Sequence, residues 1–360
     1  MWKRFSHCNE LRQPNLHFKH GSVTRIDPGS KVAEWLDRNG KTHHQTYDYL
    51  VMATGLKRCW PAVPKSGSYE EYLTDSREFI SKIVGGDPKM PQHGRKVAIV
   101  GAGAVGVEFS GEIKNYYPGI GVTLIHSRDQ VLSSEPLPSD VKNKVKDILV
   151  EEGVEVILGN RAKTREQSNG GLEIELADGR ILTADFVIDS TVKGSPTTHV
   201  LPSSCLNADK EIIVKDSLVF DDNVPNASSH YGVGDVIEWS GIKRAGSAMV
   251  MGQIAAHNIY ASILNAEAPG IPLEEQFKAI DLIRWPPVIG IAIGKQCLTW
   301  GADLGLKYGV EVMEGYFQDD LGWASNLKYM QLTDVVEKNT EEQCEIVRLG
   351  EVGVEIAATA

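Results

Sequence analysis

Residues 95–109 read RKVAIVGAGAVGVEF. An apolar run, Val97 to Val100, enters Gly101-Ala-Gly103-Ala104-Val-Gly106, and a helix is expected from about Val105 to Lys114. Each glycine has a task that a larger residue would obstruct. Gly101 allows the tight turn, Gly103 lets the backbone come close to a pyrophosphate, and Gly106 lets helix and strand pack closely. The helix start then offers free N–H groups and the positive end of its dipole to phosphates. A second strand, Val122 to Ile125, follows at the spacing of a βαβ unit. This context makes the turn a dinucleotide site rather than an ordinary strand–helix corner, with Gly101, Gly103, Ala104 and Gly106 as its contact residues.

The end of the second strand reads His126-Ser127-Arg128-Asp129. A carboxylate at the strand end would hydrogen-bond the ribose 2′-OH of NADH. Ser127 and Arg128 suit a 2′-phosphate instead, which favours NADPH. In the other reading Arg128 is a solvated loop residue and Asp129 serves the ribose, so NADPH and NADH both stay open.

Outward from this unit, residues 16–26 and 31–37 are expected as short strands, with Asn39-Gly40 turning into a third. Tyr49–Ala53 is a nearly continuous apolar run, as in a strand buried on both faces. A Pro-rich connector follows, then a helix over 75–84 and a Gly/Pro-rich loop that marks a domain boundary. Beyond the second strand come a helix at 139–152, a strand at 154–157 and a strand pair at 172–176 and 181–188 around Asp178-Gly179. Further on are a strand at 211–220, a short strand into Gly232-Val-Gly234-Asp235 and a long helix over 245–264. The tail from about 280 starts with paired strands and closes with a helix.

Composition bounds the function. The 360 residues carry a net charge of −11, against a general electrostatic affinity for nucleic acid. No apolar run approaches the roughly 20 residues of a membrane helix, and no secretory leader is visible at the start. The five cysteines, Cys8, Cys59, Cys205, Cys297 and Cys344, form no short-spaced pair, so neither a redox CxxC nor a zinc site is expected. They read as reduced packing residues of an intracellular, cytoplasmic protein; mitochondrial placement or peripheral membrane contact stays open. His43-His44 reads as a solvated strand face and Trp285 as packing. Lys243-Arg244 could touch a phosphate or simply start a helix.

The order of motifs resembles the two-dinucleotide-domain flavoproteins, and within them the apoptosis-inducing-factor-like NAD(P)H:quinone oxidoreductases, including the ferroptosis-suppressor type. The residues that carry the likeness are YDYLVMATGLKR (47–58), VAIVGAGAVGVEFSGEI (97–113), VTLIHSR (122–128), HYGVGDV (230–236) and DLGWA (320–324). The resemblance implies an α/β fold of two Rossmann-like domains, the NAD(P)H domain inserted in the FAD domain, plus an α+β C-terminal domain. The implied boundaries are 1–90 and 196–278 for the two parts of the FAD domain, 91–195 for the NAD(P)H domain and 279–360 for the last. It also implies FAD as cofactor and a quinone-like or other small-molecule electron acceptor. Thr54 and Gly55 would lie beside the FAD, with Val23 counted among the cofactor contacts. Asp235, after Gly234, would bind the ribityl chain, and Glu108 would lie near the nicotinamide.

One departure stands out. The family has an earlier strand and G-x-G-x-x-G for the FAD phosphates, whereas no glycine turn precedes Gly101 here. The chain is expected to start part-way through the FAD domain. An enzyme reading therefore competes with a nucleotide-binding or interaction protein that has left flavin chemistry, and with a tailoring flavoenzyme of secondary metabolism.

Overall fold

The computed structural model describes residues 3–58, 61, 66–167, 171–282 and 286–332. The expectations for Cys59, Trp285 and Cys344, and for the tail past 332, lie outside these residues. Two compact units are present, one within residues 18–323 and a smaller one whose described residues are 3–17 and 324–332. The larger unit carries the elements that follow.

Strands β1 (Gly21–Asp27), β2 (Val32–Asp37) and β3 (Thr42–Thr46) form an antiparallel meander. Gly40 turns β2 into β3 at φ 77°, which an Asn-Gly pair adopts readily. The expected strand 16–26 starts only at Gly21. Strand β4 (Leu50–Met52) is parallel to a later strand, and β5 (Leu56–Lys57) is a two-residue pairing. Val51 in β4 is 42% exposed, so this apolar run is not buried on both faces. Among the described residues β4 pairs with one later strand, and its Met52 is the buried residue.

Helix α1 (Tyr69–Val84) starts six residues before the sequence expectation, where the Ser68 hydroxyl accepts the N–H of Glu71. Gly85 at φ 81° ends it. Then come β6 (Lys96–Val100), α2 (Ala104–Tyr116), β7 (Gly121–Ile125), α3 (Ser139–Glu151), β8 (Val154–Ile157), β9 (Ala162–Glu166), β10 (Leu172–Leu176), β11 (Ile181–Ala184) and β12 (Phe186–Asp189). The parallel sheet runs β12-β6-β7-β8, and β11-β10-β9 form a separate antiparallel sheet. The stretch 181–188, expected as one strand, is therefore two strands in two sheets. The break is at Asp185, whose carboxylate accepts the N–H of Lys96 at 2.7 Å and whose own N–H donates to Lys96 O. That leaves β12 beside β6.

After β13 (Ser195–Pro196), the segment expected as a strand at 211–220 makes isolated bridges, Ile212 with Leu206 and Ile237, Val214 with Phe220 and Val219 with Tyr231. Strand β14 (His230–Gly232) completes the parallel pair with β4, and α4 (Ala245–Glu267) follows. Strands β15 (Val288–Ile293), β16 (Gln296–Gly301) and β17 (Gly305–Gly309) form an antiparallel sheet, followed by α5 (Val310–Tyr316).

One apolar core joins β6, β7, α2 and α3 to Ile289, Ile291, Ile293 and Leu298 of the last sheet. A second surrounds Phe220, Tyr231 and Met251. Gly111 in α2 permits the first contact, since a Cβ there would lie 2.3 Å from the backbone N of Gly294.

Candidate functional site

The parallel sheet brings three strand ends together. Val100 leads into the glycine turn, Ile125 into His126-Ser127-Arg128, and Asp189 into Ser190. Ligands of open parallel sheets bind outside these carboxyl ends. The turn meets the conditions set by the sequence. Gly101 has φ 108°, where a side chain is strained. A Cβ on Gly106 would lie 1.9 Å from Gly101 O and 2.7 Å from Ser190 Oγ. A Cβ on Gly103 would meet nothing within 4 Å, so that side faces open space, as a pyrophosphate cradle needs. Gly103 caps α2 in an extended conformation, with Ala104 as the first helical residue. These features fit a nicotinamide dinucleotide.

Ser190 was not foreseen. Its hydroxyl lies 2.7 Å from Gly101 O and 2.9 Å from Val100 O, and its N–H donates to Val100 O. It locks β12 to the turn, and no sequence signal separates it from any other serine after a strand. Ser127, Arg128 and Asp129 are all exposed, with Gly159 N–H donating to Arg128 O.

A small cleft beside the turn is lined by Val105, Phe109, Ile188, Asp189, Ser190 and Arg58. Glu108 lies one turn into α2 and Glu112 one turn further. Burial, then the charge of Glu112, lifts the Glu108 carboxyl to about 7. Burial lifts Glu112 to about 7 as well, and its Oε1 is enclosed with no hydrogen-bond partner among the described residues.

The β4–β14 pair brings the other motifs together. Gly232 is in register with Met52, so Thr54-Gly55 and Gly234-Asp235 leave the same end of the pair. Gly55 has φ 64° and Gly234 φ 75°. Gly55 O accepts the hydroxyl of Thr197 at 2.9 Å. The Asp235 carboxylate pairs with Arg58 at 3.2 Å, with side chains 23% and 34% exposed. Lys243 holds the Asp235 carbonyl at 2.8 Å and pairs with Glu211, so it is engaged within the protein rather than free for a phosphate. The open space at Gly55 and the oriented carboxylate of Asp235 fit the sugar-alcohol side of a flavin nucleotide. Val23 lies in β1 and is 41% exposed. Arg58, also unforeseen, pairs with Asp235 and lines the cleft beside the turn.

The profile described as pyridine nucleotide-disulphide oxidoreductase matches residues 4–253. The chain belongs to this family. Its relatives include oxidoreductase OXR1 of Ajellomyces capsulatus, 39% identical over 338 residues, 92% of this chain and 70% of that protein. Ferroptosis suppressor protein 1 of Homo sapiens is 27% identical over 271 residues, 71% of this chain and 67% of its own. The FAD-dependent oxidoreductase FVFD30 of Flammulina velutipes is 24% identical, with 80% of each chain covered. Among solved structures, a NAD-dependent persulfide reductase from A. fulgidus superposes with a TM-score of 0.56 at 22% identity, over 78% of this chain and 48% of that one. An engineered water-forming NADPH oxidase bound to NADPH gives 0.53 at 19% identity, over 78% and 58%. The chain thus spans 48% and 58% of these two solved structures and about two-thirds or more of the three relatives named. The α/β expectation with Rossmann-like elements holds, and the family is one of NAD(P)H oxidoreductases for which FAD with NAD(P)H is the implied cofactor pair. Among the described residues no helix is long and apolar enough to cross a membrane.

Proposed function

We propose that this chain is an FAD-dependent NAD(P)H oxidoreductase that delivers electrons to a quinone-like small-molecule acceptor. The observation that supports it best is the coexistence of two parallel-strand ends. One carries Gly101, Gly103 and Gly106, and the other carries Gly55 with Gly234 and Asp235. When bound, FAD would supply a centre that takes two electrons from a nicotinamide and passes them on.

The residues have these roles in the proposal. The glycine turn and the start of α2, with Ala104, seat the pyrophosphate of NAD(P)H. Ser127 and Arg128 take the 2′-phosphate, which favours NADPH. Glu108 lies toward the nicotinamide. Its carboxyl, lifted to about 7, holds or releases a proton near neutrality. Asp235 accepts hydrogen bonds from the ribityl hydroxyls, with Arg58 and Lys243 fixing its position. Thr54 and Gly55 line the flavin, and Val23 stands with them. The domain boundaries near residues 90, 195 and 278 are part of the same proposal.

A second reading has a specific basis. The β4–β14 pair has two strands of three residues and leaves Val51 exposed. This slight frame favours a nicotinamide-nucleotide-binding protein that does not turn over. The visible spectrum of the purified chain, before and after FAD and then NADPH, separates the two. A flavin spectrum bleached by NADPH, followed by quinone-dependent NADPH oxidation, supports the enzyme. A colourless chain that quenches or enhances NADPH fluorescence supports the second reading.

A further inference from the structure

The strand end after β7 is where a nicotinamide-binding βαβ unit places a ribose-binding carboxylate. Here that position is His126, and its ring turns inward. The N–H of Ala102, inside the glycine turn, donates to His126 Nδ1 at 3.2 Å. His126 Nε2 lies 2.8 Å from Ser133 Oγ. Because a backbone N–H donates to Nδ1, that nitrogen carries no proton, so Nε2–H donates to Ser133.

The backbone around the ring is tied on every side. His126 N–H donates to Ile157 O and its carbonyl accepts from Asn160, both at the end of β8. Leu132 N–H donates to Ala102 O at 2.7 Å. Ala102, fully buried, is thus held through both of its polar groups by residues 126 and 132. Leu132 adopts φ 49°, a strained conformation for a leucine, while closing this contact.

We propose that His126, as the neutral imidazole, is a positioning residue that straps the Ser127–Arg128 segment to the glycine turn. It thereby couples the seat of the 2′-phosphate to the seat of the pyrophosphate. The inference rests on the nucleotide site proposed above and adds a residue that touches neither phosphate. Protonation at Nδ1 would set a donor against the Ala102 N–H donor and break the strap. Burial, then the charge of Arg128, already disfavours that protonation. The facing segments, Gly101–Gly103, Leu132–Ser133 and the end of β8, present backbone groups, a hydroxyl and apolar side chains. Asp129 and Glu135 follow in the same loop.

The test is NADP+ and NAD+ binding to the full chain by calorimetry between about pH 8 and pH 5.5. Wild type, His126→Asn and His126→Leu are compared, each first checked for folding by circular dichroism. Asn keeps an acceptor near the Nδ1 position and does not titrate, so its NADP+ affinity should match wild type at pH 8. The 2′-phosphate itself titrates near pH 6, and both proteins share that loss. Wild type should lose affinity more steeply than the Asn variant as pH falls toward 5.5, by a few-fold and less than tenfold because burial and the Arg128 charge disfavour His126 protonation. The Leu variant should bind NADP+ about tenfold more weakly at pH 8, with a reduced preference over NAD+. Parallel decline of wild type and Asn variant overturns the inference, as does a folded Leu variant with unchanged affinity and preference. Failure of wild type to bind either nucleotide at pH 8 overturns the site reading beneath it. If the Leu variant does not fold, the Asn comparison decides alone.

Discussion

Two parallel sheets in this chain carry similar turn chemistry on different foundations. The β12-β6-β7-β8 sheet has four strands, covered by α2 and α3, with Val97, Ile99, Val122 and Leu124 almost fully buried. The β4–β14 pair has two strands of three residues, with Val51 exposed beside the buried Met52. Parallel strands are ordinarily covered on both faces, and a two-stranded pair has little stability of its own. The first site is therefore positioned by a sheet. The second is positioned by side chains: Arg58 and Lys243 on Asp235, and Thr197 on Gly55.

The largest effects should come from the sheet-based site. Gly106→Val would drive a side chain into Gly101 O and Ser190 Oγ. Overpacking of this kind costs about 1–3 kcal/mol of stability. The turn cannot keep its shape, so NADPH binding followed by fluorescence should fall below detection. A Gly106→Val protein that binds NADPH normally would mean the nucleotide sits elsewhere.

Asp235→Ala should act on the other half alone. Hydrogen bonds to a charged group contribute about 1.5–3 kcal/mol, so FAD affinity should fall about tenfold or more while NADPH affinity at the turn is kept. Equal loss of both would show that Arg58, which pairs with Asp235 and also lines the cleft beside Val105, ties the two sites into one.

The same contrast explains what could be read from the sequence. The β6–turn–α2–β7 unit is local: strand, three glycines and helix follow one another, and each obeys a backbone rule visible in the residue types. Its ends were legible within two residues. The segment 181–188 was not, because the break at Asp185 depends on a hydrogen bond to Lys96, 89 residues away. Residues 211–220 alternate like a strand, yet their partners are single residues from three neighbouring segments. His126 was legible only as the absence of a carboxylate. Its actual contacts, with Ala102 and Ser133, need the folded turn. Arg58 and Ser190 carry no motif, and their roles exist only where distant strand ends meet.

Arg128→Ala should have a smaller effect, confined to one cofactor. The side chain is exposed and its charge acts through solvent. NADPH affinity should fall about tenfold at low salt and less at high salt, while NADH affinity stays within about twofold. Equal loss for both nucleotides would assign Arg128 to the shape of the loop, and no loss would favour Asp129 on the ribose.

The smallest effect is a shift in stability with pH, and its sign is set by burial. The Glu112 carboxyl is raised from its ordinary value to about 7 by burial, with Oε1 unpartnered among the described residues. In the unfolded chain it titrates near 4.5. Below that value both states are protonated and folding costs nothing at this position. Between about 4.5 and about 7 the unfolded chain ionises while the folded protein keeps the proton, so stability falls across that window and levels off above about 7, where the folded protein holds the buried carboxylate. Glu112→Gln removes that charge without removing the shape. Its thermal midpoint should match wild type at about pH 4.5 and exceed it by a few degrees at about pH 8.5. Glu108 should titrate lower in the same variant, because the Glu112 charge is one of the two causes that raise it. A Gln variant less stable than wild type at pH 8.5 would mean that the Glu112 carboxylate has a cation beside it when ionised. In that case α2 would anchor the four-stranded sheet with a charge pair, and the contrast between a sheet-held site and a side-chain-held site would narrow.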